Sequence, residues 1–196
     1  DKFDSIANSY DNPERTRIAM VASDAIKEYL GDTRSKSAID FGCGTGLVGM
    51  NLVNEFESLL FMDTSENMLD IVKKKITDVG ALNARTLCFD FESSSQPDLR
   101  ADYIFMAQVL LHIQDYEAVL AKLHAVLNDE GHLLIVDFNK NDKVVSELVH
   151  NGFDQEQLKA LTLKKGFHDI RSKTIYSGTK LFMNQDASLF IMDGKK

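Results

Sequence analysis

An α/β protein with a mostly parallel sheet is the fold class this sequence predicts, and three observations carry it. From Ser37 onward, short apolar runs alternate with longer stretches whose apolar residues recur at helical spacing, the pattern of successive βαβ units. A glycine cluster, Gly42, Gly44 and Gly46, sits where the first of those runs gives way to a helical stretch. Two β-rich segments end the chain with no long helical pattern between them, which predicts an antiparallel partnership at one side of the sheet.

The elements follow in order. Asn12-Pro13-Glu14 opens the first helix, because a capping Asn, a Pro at the first helical position and an early acid suit its unpaired N–H groups. Ile18, Ala22, Ala25, Ile26 and Tyr29 recur at helical spacing, and Gly31 supplies the stop. Ala38 to Phe41 reads as strand one, Leu47 to Phe56 as a helix, Ser58 to Met62 as strand two, and Ser65 to Val79 as a helix ended by Gly80. Leu87 to Phe89 forms a short third strand and Ala101 to Ala107 the fourth. Tyr116, Val119, Leu120, Leu123, Val126 and Leu127 make one apolar helical stripe before strand five, Leu133 to Val136. Asp154 and Gln157 pair at the start of a helix that stops at Gly166, and Phe167 to Tyr176 and Ser188 to Met192 are the closing strands.

Composition bounds the function. The 196 residues contain 44% hydrophobic and 27% charged residues, with no linker, repeat or low-complexity tract, and so predict one domain over 1–196. A net charge of -8 argues against general nucleic-acid binding, which rests on clustered Lys and Arg. Lys73-Lys74-Lys75 is the longest basic run and reads as a solvated helix face. No apolar stretch approaches the ~20 residues that span a bilayer, so a cytoplasmic protein without membrane contact is expected. Cys43 and Cys88 are the only cysteines and are read as small buried thiols; no His/Cys cluster predicts a metal.

The chemistry concentrates in Asp40-Phe41-Gly42-Cys43-Gly44-Thr45-Gly46. A turn this tight needs residues that tolerate positive φ, and missing side chains let a ligand approach the backbone. Gly44-x-Gly46-x-x-Gly49 also matches the dinucleotide fingerprint, with Asp63 nineteen residues after Gly44, so the pattern alone leaves a nicotinamide or flavin protein open. An acid ending strand two accepts ribose hydroxyls whichever cofactor carries the adenosine. Three features favour S-adenosylmethionine. Asp40 is a poor neighbour for pyrophosphate but suits a cofactor bearing an ammonium and a sulfonium. Asp90, closing strand three, offers an acceptor for an adenine amino group, and the chain has no second domain to hold a hydride acceptor.

On these residues, the chain resembles the class I S-adenosylmethionine-dependent methyltransferase family over nearly its whole length. The Asp40 to Gly46 loop is similar to the family's first motif, Ala101 to His112 to its fourth-strand motif, and Leu127 to Leu133 to the turn into strand five. Phe3 to Asp11 resembles the N-terminal lid of small-molecule members, which assigns residues 1–12 to a lid. The resemblance implies a Rossmann-like doubly wound sheet of seven strands, the last one antiparallel. It also implies cofactor contacts from Asp40, Gly42, Cys43, Gly44 and Gly46 in the loop, from Met62, Asp63 and Thr64 after strand two, from Asp90 and Phe91, from Gln108, and from Tyr10.

Methyl transfer from a sulfonium needs alignment more than apparatus. A base is required only for an acceptor that is still protonated, and His112, just after strand four, is the candidate. His124 is expected on the exposed side of its helix, and Arg15 and Arg17 as charges near the lid. Acceptor recognition is expected from the lid and from Asn139 to Phe153, and the absence of an Asn/Asp-Pro-Pro-aromatic pattern at the end of strand four favours a small molecule over a DNA base. A cofactor-binding or scaffolding module of the same fold without turnover, and a NAD-dependent oxidoreductase, are the remaining readings.

Overall fold

A computed structural model of the protein describes residues 11–93 and 98–196. Seven strands form one sheet in the order β3-β2-β1-β4-β5-β7-β6. They are β1 (Ser37–Phe41), β2 (Ser58–Asp63), β3 (Ala84–Cys88), β4 (Ala101–Ala107), β5 (Leu127–Phe138), β6 (His168–Phe182) and β7 (Gln185–Lys195). The first five pair in parallel, while β7 lies antiparallel between β5 and β6. The order reverses at β1, whose neighbours are β2 and β4, and a crevice opens beyond the carboxyl ends of the strands at such a switch point.

Strand alternation divides the core between the two faces. Ala38, Phe61, Phe105 and Leu134 point to one side, against α1 (Pro13–Lys27), α2 (Leu47–Leu52) and α3 (Glu66–Val79). Ile39, Leu60, Ile104 and Leu133 point to the other, against α4 (Tyr116–Val126) and α5 (Gln155–Lys164). The caps read from sequence at Asn12 and Asp154 form as expected, accepting from the Arg15 and Gln157 amides; Ser65, read as the first residue of its helix, instead caps α3 by accepting from the Met68 amide. Among the described residues, no helix is long and apolar enough to cross a membrane.

Several boundaries differ from the sequence expectation. Strand five begins at Leu127 directly after α4, because residues taken for a turn form a bulge: Ala101 pairs with Leu127, and the next pair is Tyr103 with His132. Glu130 takes φ 66° inside that bulge, and the Asn128 amide bonds the Asp102 carboxylate at 3.0 Å. The closing strands are longer than expected and form a hairpin over Met183 and Asn184, both at positive φ, as a two-residue connection requires. Strand three starts earlier, at Ala84, since both faces of this edge strand are only half covered and give a weak apolar signal. Helix two ends at Leu52 and tightens into a 3₁₀ turn over Val53–Glu55.

Candidate active site

A cavity of about 370 Å³ lies at the carboxyl ends of β1, β2 and β4. The β1 loop contributes Phe41 to Thr45, and β2 ends in Met62 and Asp63, with Thr64 beyond. Asp90 and Phe91 follow β3, while Gln108, His112 and Ile113 follow β4. Helix α1 closes one side with Arg15, Ala19 and Ala22, and α4 adds Val119. Of the residues expected at the site, this wall brings together Gly42, Cys43, Gly44, Met62, Asp63, Thr64, Asp90, Phe91, Gln108 and His112. Tyr10 and most of the expected lid lie outside the described residues, and Arg17 is an exposed α1 residue away from the wall.

Asp40 and Gly46 do not line the cavity; their places are structural ones beneath and behind the loop. Gly46 caps α2 at φ 83°. Asp40 shares the α2 face of β1 with Ala38 and is 3% exposed, and its Oδ2 has no hydrogen-bond partner. Burial, and then the Asp63 charge, push its carboxyl up to about 8, against the pull of the Gly49 N–H. Such a raised value holds a proton in the folded protein that the unfolded chain releases, so this group's contribution to stability falls as pH rises from about 4 to about 8. Asp40→Asn is therefore expected to flatten the stability profile by up to about 1.4 kcal/mol per pH unit in that window, read by urea unfolding at several pH values. An identical slope in wild type and variant would refute it.

Two glycines are there for space. A Cβ on Gly42, which has φ 69°, would lie 2.7 Å from both Val109 methyls, so the loop and the turn after β4 touch. A Cβ on Gly49 would lie 2.3 Å from the Phe61 ring and 2.5 Å from Asp40 Oδ2. Gly49→Ala is expected to cost about 1–3 kcal/mol of stability by overpacking, measurable by urea unfolding; a neutral result would mean that α2 slides to make room.

The two cavity acids are held by backbone. Asp63 accepts from the Gly44 amide at 2.8 Å and the Ser65 amide at 3.0 Å, which joins the β1 loop to the end of β2. Asp90 accepts from the Glu92 amide at 2.8 Å and the Ser93 hydroxyl at 2.9 Å. A carboxylate has about four lone-pair sites, so an acid in this wall is chemically suited to accept from a ligand hydroxyl or amino group. Phe91 is buried against Phe41 and Phe89, and its carbonyl accepts from Lys122 of α4. Met62 is buried core as well as cavity wall, and its carbonyl accepts from the Cys43 amide. Cys43 is half-buried, with its thiol pushed well up by burial and the charges of Asp40 and Asp63; Cys88 is exposed at the sheet edge, contrary to the buried expectation.

The turn carrying His112 is gripped from two sides. Gln108, at φ 56°, donates its amide to the Val136 carbonyl and starts the turn in a strained conformation of the kind that concentrates at functional sites. Beneath it, buried Asp137 accepts from the Leu111 amide at 3.2 Å, and burial pushes this carboxyl up to about 7. From the far side, His150 donates its amide to the Leu111 carbonyl and sets its ring nitrogen 2.7 Å from the Ile113 carbonyl. The segment expected to recognise the acceptor is thus fastened to the His112 turn. His124, expected to be exposed, is half-buried edge-on against Phe167 with its Nε2 sequestered.

Sequence reading missed Lys75, Lys122 and Asp137, because a lysine that reaches a loop carbonyl has the same sequence signature as a solvated one. Ala19 and Ala22, a small-residue pair on the cavity face of α1, carried a readable signal in their spacing.

The donor set fits S-adenosylmethionine: a glycine-opened backbone, two acids suited to ribose and adenine, and a buried carboxylate with an unpartnered oxygen beneath the loop. A family profile described as a methyltransferase domain matches residues 14–170. A ubiquinone biosynthesis O-methyltransferase from Coxiella burnetii is 25% identical over 178 residues, covering 86% of this chain and 71% of that protein. Among solved structures, an S-adenosylmethionine-dependent methyltransferase from Aquifex aeolicus superposes with a TM-score of 0.75 at 18% identity, covering 97% of both chains. The Haemonchus contortus phosphoethanolamine N-methyltransferase 2, in complex with phosphomonomethylethanolamine and S-adenosylhomocysteine, matches with a TM-score of 0.75 at 16% identity. The match covers 89% of this chain and about half, 52%, of that one. The chain therefore belongs to the class I S-adenosylmethionine-dependent methyltransferases, with their Rossmann-like seven-stranded fold.

Proposed function

We propose that this protein methylates a hydroxyl group of a small-molecule acceptor, with His112 as the general base. The observation that carries the reading is the position of His112: it is half-buried in the wall of the same cavity as Gly42, Asp63 and Asp90, on a turn fixed from below and from behind. Bound S-adenosylmethionine supplies an electrophilic methyl group on a sulfonium, so the chain has to bind, orient and deprotonate. Asp63 takes the ribose hydroxyls, and Asp90 with the Phe91 backbone takes adenine. The β1 loop takes the amino-acid end, above the buried Asp40 carboxyl. Met62 and Thr64 flank the base, and Gln108 lines the wall beside the loop.

His112 accepts the hydroxyl proton at an imidazole nitrogen as the oxygen attacks, which matters because a neutral hydroxyl is a weak nucleophile. Ile113, Val119 and the α1 alanines give the acceptor an apolar surface that excludes water, and Arg15 favours an acceptor with acidic character. An O-methyltransferase among the relatives is consistent with this chemistry.

The test pairs calorimetry with product analysis. S-adenosylhomocysteine should bind and NAD should not, and labelled S-adenosylmethionine should yield O-methylated products from a panel of phenols and catechols. Products methylated only on nitrogen would overturn the hydroxyl assignment; binding with no product from any metabolite pool would instead support a module without turnover.

A further inference from the structure

One ion pair outside the cavity ties the chain's N-terminal end to the cofactor loop. Asp11, the residue before the cap of α1, accepts from the Thr45 hydroxyl through Oδ1 and from the Lys75 ammonium through Oδ2 at 2.8 Å. The same ammonium donates to the Thr45 carbonyl at 2.8 Å. Thr45 lies in the glycine loop and is 1% exposed. Lys75 projects from α3 and keeps 27% of its side chain exposed, unlike Lys74 of the same run at 78%. Three segments distant in sequence thus meet at one loop residue.

We propose that Asp11 and Lys75 are positioning residues for cofactor capture, a latch that clamps Thr45 and so holds the glycine loop in the shape the cofactor needs. Ordering a loop on binding costs conformational entropy. A loop with three glycines at positive φ has more backbone freedom to lose on binding than any other part of the wall. Lys75 fixes the Thr45 carbonyl and Asp11 fixes its side chain, so that entropy is removed before the ligand arrives. Both bonds are charge-assisted, and the pair is partly shielded from solvent, so the latch is stronger than a surface ion pair. It also joins the start of α1, which carries Arg15 and Ala19 of the cavity wall, to the opposite side of the loop.

This proposal rests on the cofactor reading above, and the experiment separates the two. S-adenosylhomocysteine affinity is measured by calorimetry for wild type, Lys75→Ala, Asp11→Ala, the double variant and Lys75→Arg, with ligand-free thermal unfolding of each. Each single variant should bind about tenfold more weakly, the loss of one net charge-assisted bond. The double variant should be no weaker than about the worse single one, because the pair acts as a unit. Lys75→Arg should recover part of the loss, and affinity should fall even where the unfolding temperature does not. Thr45→Val, which removes the hydroxyl that Asp11 accepts, should bind more weakly than wild type. Wild-type binding with both single variants within about twofold of it, or losses that simply add in the double variant, would overturn the latch and leave the cofactor assignment intact. A wild type that ignores S-adenosylhomocysteine would overturn both.

Discussion

Replacing His112 by Ala is expected to lower turnover roughly 10²- to 10⁴-fold, the contribution of a well-placed proton acceptor. Affinity for S-adenosylhomocysteine should stay within about twofold, because the loss falls on the transition state rather than on ground-state binding. The cavity places His112 beyond β4, across the β1 loop from Asp63 and Asp90, so removing its ring leaves the cofactor's polar partners in place. The signature lies in pH dependence: the low-pH limb of the wild-type rate profile should vanish in the variant. Raising the pH toward the acceptor's own ionisation should then recover activity, since an acceptor that is already anionic needs no base. Single-turnover rates against pH for both proteins make the comparison. A variant within about threefold of wild type at every pH would leave His112 as a wall of the pocket.

Removing the Asp63 carboxylate should have the largest effect on binding. Asp63→Ala is expected to weaken S-adenosylhomocysteine affinity by about 1.5–3 kcal/mol, or roughly 10- to 150-fold, the range for a hydrogen bond to a charged group. Two losses combine. The ribose loses its acceptor, and the Gly44 and Ser65 amides lose the carboxylate that joins the β1 loop to the end of β2. Asp63→Asn separates these, because its amide oxygen still accepts one backbone N–H while its NH₂ group meets the other unfavourably. Calorimetry of the folded variants is decisive: full affinity in Asp63→Ala would mean that the ribose sits elsewhere.

The wall of the candidate site was legible in sequence to the extent that its residues follow strands. Gly42 to Thr45, Asp63 and Asp90 lie at or just beyond the ends of strands, and a parallel sheet brings strand ends to one edge whatever the intervening helices contain. Asp40 shows the limit of that reading. One position along a strand reverses the face of a side chain, so the residue read as a cofactor contact is buried beneath the loop, where desolvation rather than ligand contact dominates its chemistry. The Leu127 bulge and the Met183–Asn184 hairpin were hidden for a related reason. Both are set by pairing with distant strands, and neither leaves a local pattern in the residues that make them.

By itself, then, the sequence determined the α/β class, the element order, the glycine loop and its acids, because periodicity, capping and backbone freedom are local properties that act within a few residues. The tertiary structure alone decided which charges matter. Lys75 and Lys74 are neighbours on one helix, yet Lys75 meets Asp11 and the Thr45 carbonyl, while Lys74 pairs one turn along with Asp78. Asp137 gained its place beneath the His112 turn in the same way, through a contact 26 residues back along the chain. Long-range polar contacts depend on where the sheet brings the chain together, and a lysine or aspartate carries no mark of its partner until that packing exists.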